Sequence, residues 1–138
     1  MKIAMKIGLM TILLAAVVIA APAQLQTKPK VDYGKITGTW ALQVDAGGEY
    51  YYLTLELKVT EGKLEGGLSE QNGMFTNSPL SNVEFDGQTL KFDVKIPTPP
   101  DGSERLVKTE AKLVENKLEG LLTIPDLQMS VSITGTKK

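Results

Sequence analysis

The sequence predicts an all-β domain, an eight-stranded antiparallel up-and-down barrel, and three observations predict it. From Lys35 onward apolar and polar residues alternate in eight separate runs, the period of a strand with one buried face. Short turn signals and longer loops alternate between those runs, as a meander requires. Finally, Ile36-Thr37-Gly38-Thr39 in the first run returns as Ile133-Thr134-Gly135-Thr136 in the last, which places the two side by side across a closing seam. Closure removes the free strand edges that invite aggregation. An open two-sheet sandwich is the competing architecture.

Before the first strand, Lys2 and Lys6 precede an uncharged apolar run from Ile7 to Ala21, followed by Ala21-Pro22-Ala23. A basic start, an apolar stretch and a small-residue cleavage site read as a secretory signal peptide over residues 1–23. The run is too short for a transmembrane helix, which needs about 20 residues. The expected compartment is the periplasm or the cell exterior, with no membrane span left after cleavage. Residues 24–34 contain a proline and no period, and read as an extended lead-in to a barrel domain over residues 35–138.

The strands follow in order. Ile36, Gly38, Trp40, Leu42 and Val44 share the inner face of the first, and Tyr51, Leu53, Leu55, Leu57 and Val59 that of the second. Leu64, Gly66 and Leu68 form a short third. Val83 and Phe85 mark the fourth, and Leu90, Phe92, Val94 and Ile96 the fifth. The sixth turns Val107, Thr109, Ala111 and Leu113 inward, the seventh Leu118, Gly120, Leu122 and Ile124, and the eighth Leu127, Met129, Val131 and Ile133. The opposite faces carry Lys, Glu, Asp, Thr and Ser, so they meet water. An outer-membrane barrel, apolar outside and polar within, is excluded by that orientation.

Glu61-Gly62, Asp86-Gly87 and Glu115-Asn116 are tight-turn signals, and in a meander they all fall at one end. The opposite end receives Ala46 to Glu49, the segment Ser69–Asn82, the segment Pro97–Glu104, and Pro125-Asp126. A hairpin also repeats after 54 residues: Leu57 to Leu68 aligns with Ala111 to Leu122.

Composition limits the chemistry. The chain has no histidine and no cysteine, which removes Ser-His-Asp and Cys-His catalysis, most transition-metal sites and thiol redox chemistry. Cleavage would remove Lys2 and Lys6 and no acid, leaving 13 basic and 16 acidic residues without a basic cluster, so no nucleic-acid partner is expected. The acids stand in turns or on outward positions, where they read as solvated surface charge. No loop has the carboxylate density of a calcium site, and Gly47-Gly48 is followed by no helix that could hold a phosphate. No enzyme activity, no metal and no cofactor are expected.

Candidate ligand contacts lie at the loop-bearing end. Met74 and Phe75 are large apolar side chains in a polar, amide-rich segment, where they either cap the core or cover a barrel mouth. In Tyr50-Tyr51-Tyr52, alternation sends Tyr51 inward and its neighbours outward. Leu55 and Phe92 on the inner face complete the candidate set.

With Gly38-Thr39-Trp40 early in the first strand of an eight-strand meander, the chain resembles the lipocalins and the wider calycin group. The resemblance implies that Gly38 and Trp40 form a Gly-x-Trp motif whose tryptophan packs at the closed base of a barrel holding small apolar ligands. The family's later arginine, packed over that tryptophan, has no counterpart in Val131 to Lys138; the one arginine is Arg105. An eight-stranded barrel is just wide enough for side chains to fill it, or to hold one small molecule. The sequence therefore leaves two expectations: a binding protein for a small hydrophobic molecule, or a packed envelope or accessory module that acts through its surface.

Overall fold

The computed structural model describes residues 31–138, and the proposed signal peptide lies outside them. Eight strands form a closed antiparallel barrel in which each strand neighbours the next and the last returns to the first. They are β1 (Gly38–Asp45), β2 (Tyr50–Thr60), β3 (Lys63–Glu70), β4 (Ser78–Phe85), β5 (Thr89–Thr98), β6 (Ser103–Val114), β7 (Lys117–Ile124) and β8 (Met129–Lys137). The alternation works as the sequence implies. Trp40, Leu55, Leu90 and Val107 are fully enclosed, and the lysines and most acids stand outside. Val59 follows the inner-face register opposite Leu64, but at the lower rim it stays 44% exposed.

The repeated hairpin is a repeated structure. Glu61 and Gly62 have φ of 51° and 77°, and Glu115 and Asn116 have 49° and 66°, the left-handed pair of a two-residue turn matched to strand twist. Within each hairpin one glycine meets the facing strand at the same point. A Cβ on Gly66 would lie 2.0 Å from the Glu56 carbonyl oxygen, and one on Gly120 1.9 Å from that of Glu110. Only a residue without a side chain lets the backbones approach so closely there.

The seam between β1 and β8 closes the ring, but in a shifted register. Ile133–Thr136 lies opposite Ala41–Val44, not opposite Ile36–Thr39. The reason is that the chain does not enter β1 until Gly38: Tyr33–Lys35 forms a 3₁₀ turn, capped by the Asp32 carboxylate accepting from the Gly34 N–H at 2.9 Å. This turn tucks beneath the barrel. Val31 and Tyr33 pack on the core and Ile36 is wholly buried, so the end of the expected lead-in belongs to the floor of the domain.

Two loops are shorter than expected. The segment Ser69–Asn82 contains the end of β3 and the first half of β4, leaving residues 71–77 as the loop; Pro97–Glu104 contracts to residues 99–102. β4 escaped the alternation reading because it bulges. Ser81 faces Asp93 and Glu84 faces Lys91, so Asn82 and Val83 together oppose one residue. Asn82 takes φ 50° and its side-chain amide donates to the Asp93 carboxylate at 2.9 Å. The extra residue puts Leu80 and Val83, an odd spacing apart, both against the core.

Candidate functional site

The two ends of the barrel are built differently, and the difference creates a cavity. At the base, Trp40 is 0% exposed and donates its indole N–H to the Ile36 carbonyl at 2.8 Å. Its burial is therefore complete without an unpaired donor. Lys137, in the last residue of β8, sets its ammonium 5.8 Å from the centre of that ring, within cation–π range. A basic side chain does cover the tryptophan, and it is a lysine at the end of the chain. Gly38 leaves room for this arrangement: it has φ 120°, and a Cβ there would meet the Lys137 side chain at 3.1 Å.

At the opposite end the long loops surround a cavity of about 420 Å³, within the size range of small-molecule pockets. Its inner wall comes from Val44, Leu53, Ile96, Val107, Leu122 and Ile124; its rim includes Met74, Phe75, Pro99 and Leu127. Tyr51 also lines it, whereas Tyr50 and Tyr52 face outward at 53% and 50% exposure. Phe75 packs partly on the core, while Met74 is 49% exposed at the edge. Of the five candidate contacts, Tyr51, Met74 and Phe75 thus converge on one cavity. Leu55 and Phe92 do not line it; at 0% and 2% exposure they belong to the packed core. The barrel's interior is divided, with side chains filling part of it and open volume remaining at the loops.

The chain matches no family model and no curated protein. The site must be read from its own chemistry.

The polar groups of the lining are few, and one was missed. Glu70, the last residue of β3, is 7% exposed and lines the cavity, contrary to the expectation that every acid faces solvent. Its alternation with Leu64, Gly66 and Leu68 is the signal for an inward side chain, obscured because the polar segment from Ser69 reads as a loop. One carboxylate oxygen, Oε2, accepts from the backbone N–H groups of Asn72 at 2.8 Å and Met74 at 3.0 Å. The Glu70 N–H in turn donates to the Phe75 carbonyl at 2.9 Å. Glu70 therefore ties the loop that presents Met74 and Phe75.

Across the rim, the Tyr51 hydroxyl donates to Glu49 Oε2 at 3.0 Å. That bond to a carboxylate is the main reason the phenol is held above its ordinary pKa, with burial adding to it. Thr98 is buried beside Arg105, whose guanidinium donates to the Thr98 hydroxyl at 2.9 Å and to both Asp101 carboxylate oxygens at 2.8 and 3.0 Å. Those bonds, with one from the Ser103 N–H, hold the Asp101 carboxyl well below the usual carboxylate range. The loop bearing Pro99 and Pro100 is fixed by this clamp, and the arginine charge is spent within it.

Proposed function

We propose that this protein is an exported, non-enzymatic binding protein that takes a small apolar molecule in the cavity at the loop-bearing end of its barrel, in the manner of a lipocalin. One observation carries the reading: the inner wall of a well-packed barrel leaves about 420 Å³ open at the loop-bearing end of its core, lined mostly by aliphatic and aromatic side chains. Water in such a cavity makes few hydrogen bonds, and an apolar ligand replaces it with favourable contacts. Gly38, Trp40 and the basic cover from Lys137 at the closed base support the lipocalin-like reading. Export rests on the basic, apolar and small-residue order of residues 1–23.

The test is titration of the purified protein without residues 1–23 with N-phenyl-1-naphthylamine, a neutral apolar dye that brightens out of water. Saturable one-to-one enhancement is expected. Phe75→Ala weakens it by about tenfold, since the ring supplies one wall of the rim. Enhancement that never saturates, or that is indifferent to Phe75, sinks the reading in favour of a surface-acting module.

A further inference from the structure

We propose that the cavity selects an amphiphile with an ammonium head, an apolar tail within the barrel and its positive charge held between Glu70 and Glu49. The inference rests on the binding reading above and specifies its ligand class.

Charge along the barrel is the first support. Asp45, Glu49, Glu70, Asp101, Glu104 and Asp126 lie at the loop-bearing end against Arg105 alone, an excess of five negative charges. The remaining described chain has ten acids and ten lysines, all on the outer wall or at the base. The net charge of the described domain thus resides at the cavity mouth. A rim of one sign around low-dielectric walls focuses its field into the opening and draws in ligands of the opposite sign.

The second support is Glu70 itself. A carboxylate so deeply buried is costly unless its oxygens are engaged. Oε2 is engaged twice by backbone N–H groups, but Oε1 accepts no hydrogen bond among the described residues, and the side chain lines the cavity. No lysine or arginine is among the lining residues, and the nearby Arg105 is already bound bidentately to Asp101. An ammonium group entering from the mouth would supply the donor that Oε1 lacks. Glu49 stands on the same rim, fixed by Tyr51, and the rings of Tyr51 and Phe75 offer faces that also attract a cation. A fatty carboxylate would meet two like charges at the same place.

Competition against the naphthylamine dye decides it, with decylammonium, decanol and decanoate as probes of equal tail length. Decylammonium is expected to displace the dye at about tenfold or more lower concentration than decanoate, with decanol between them. In Glu49→Gln/Glu70→Gln the preference, read as the ratio of decylammonium to decanoate within that variant, collapses to within about threefold, because glutamine keeps an acceptor for the Asn72 and Met74 N–H groups but carries no charge. Glu49→Gln alone, at an exposed position, serves should the double variant fold poorly, and is expected to lose part of the preference. Equal displacement by decylammonium and decanoate, or a preference untouched by both variants, overturns the charge selection and leaves the apolar cavity intact. Failure of all three probes and of the dye overturns the cavity reading itself.

Discussion

The base and the mouth of this barrel use the same wall to opposite ends. At the base, two tight turns of left-handed backbone, a 3₁₀ turn and a buried tryptophan close the apolar interior. At the mouth, four longer connections stand apart and are held by polar ties: Glu70 to its loop, Tyr51 to Glu49, and Arg105 to Asp101 and Thr98. The base gains stability from dispersion and burial, the mouth gains shape from directed hydrogen bonds. Close packing and an open site are thus kept in separate halves of one small domain, where a single compromise would weaken both.

Substitutions at each end should separate these roles. Trp40→Ala has the largest expected effect, a loss of about 3–5 kcal/mol, because it opens a large void at the floor and strands the Ile36 carbonyl. Thermal unfolding should show the loss as a fall in Tm of more than about 10 °C. Gly120→Ala follows at about 1–3 kcal/mol, since its methyl group would press on the Glu110 carbonyl and force β6 and β7 apart. Phe75→Ala, by contrast, should move dye affinity more than Tm; the reverse ranking would merge mouth and base into one core.

Asp101→Asn has the smallest effect, at most a few degrees in Tm, and its signature is in pH. A carboxyl held low in the folded state adds stability above its ordinary pKa and loses it as the pH falls below that value. Wild type and Asp101→Asn should therefore differ in Tm at neutral pH and converge on acidification toward pH about 2. A constant gap across that range would assign the effect of Asp101 to something other than its charge. Asp101 itself is exposed, and solvent screening keeps the effect on Tm small.

Strand number, order and facing were legible because one rule governs them: each half-buried strand must alternate, and each run here does so between readable turns. The rule fails where the backbone departs from it. The bulge at Asn82 breaks the period and hid half of β4, and the entry through a 3₁₀ turn displaced the seam register by several residues. Tyr51, Met74 and Phe75 were legible as residues of the cavity wall because alternation turns Tyr51 inward and large apolar side chains in a polar loop need a partner. How far the core fills from the base is a matter of packed volume, so Leu55 and Phe92 could not be told from lining residues by alternation. Glu70 and Lys137 show a further limit: Glu70 is bonded to the loop that follows it and Lys137 reaches Trp40 from the paired strand at the seam, contacts that apolar alternation does not report.

One line of the wall is less securely fastened than the rest. β5 and β6 share ten paired positions and the chain-end seam of β1 with β8 shares six, but β3 meets β4 only at Gly67 with Pro79 and Leu68 with Ser78. Below those two pairs the strands diverge around a groove, and proline at one of them offers no N–H to the ladder. The ring is thus better sealed between its first and last strands than at a place where the covalent chain runs through a single loop. Fluctuations that unroll the cylinder are expected to start along that slit, with β3 and β4 as the parting edges, while the β1–β8 seam holds.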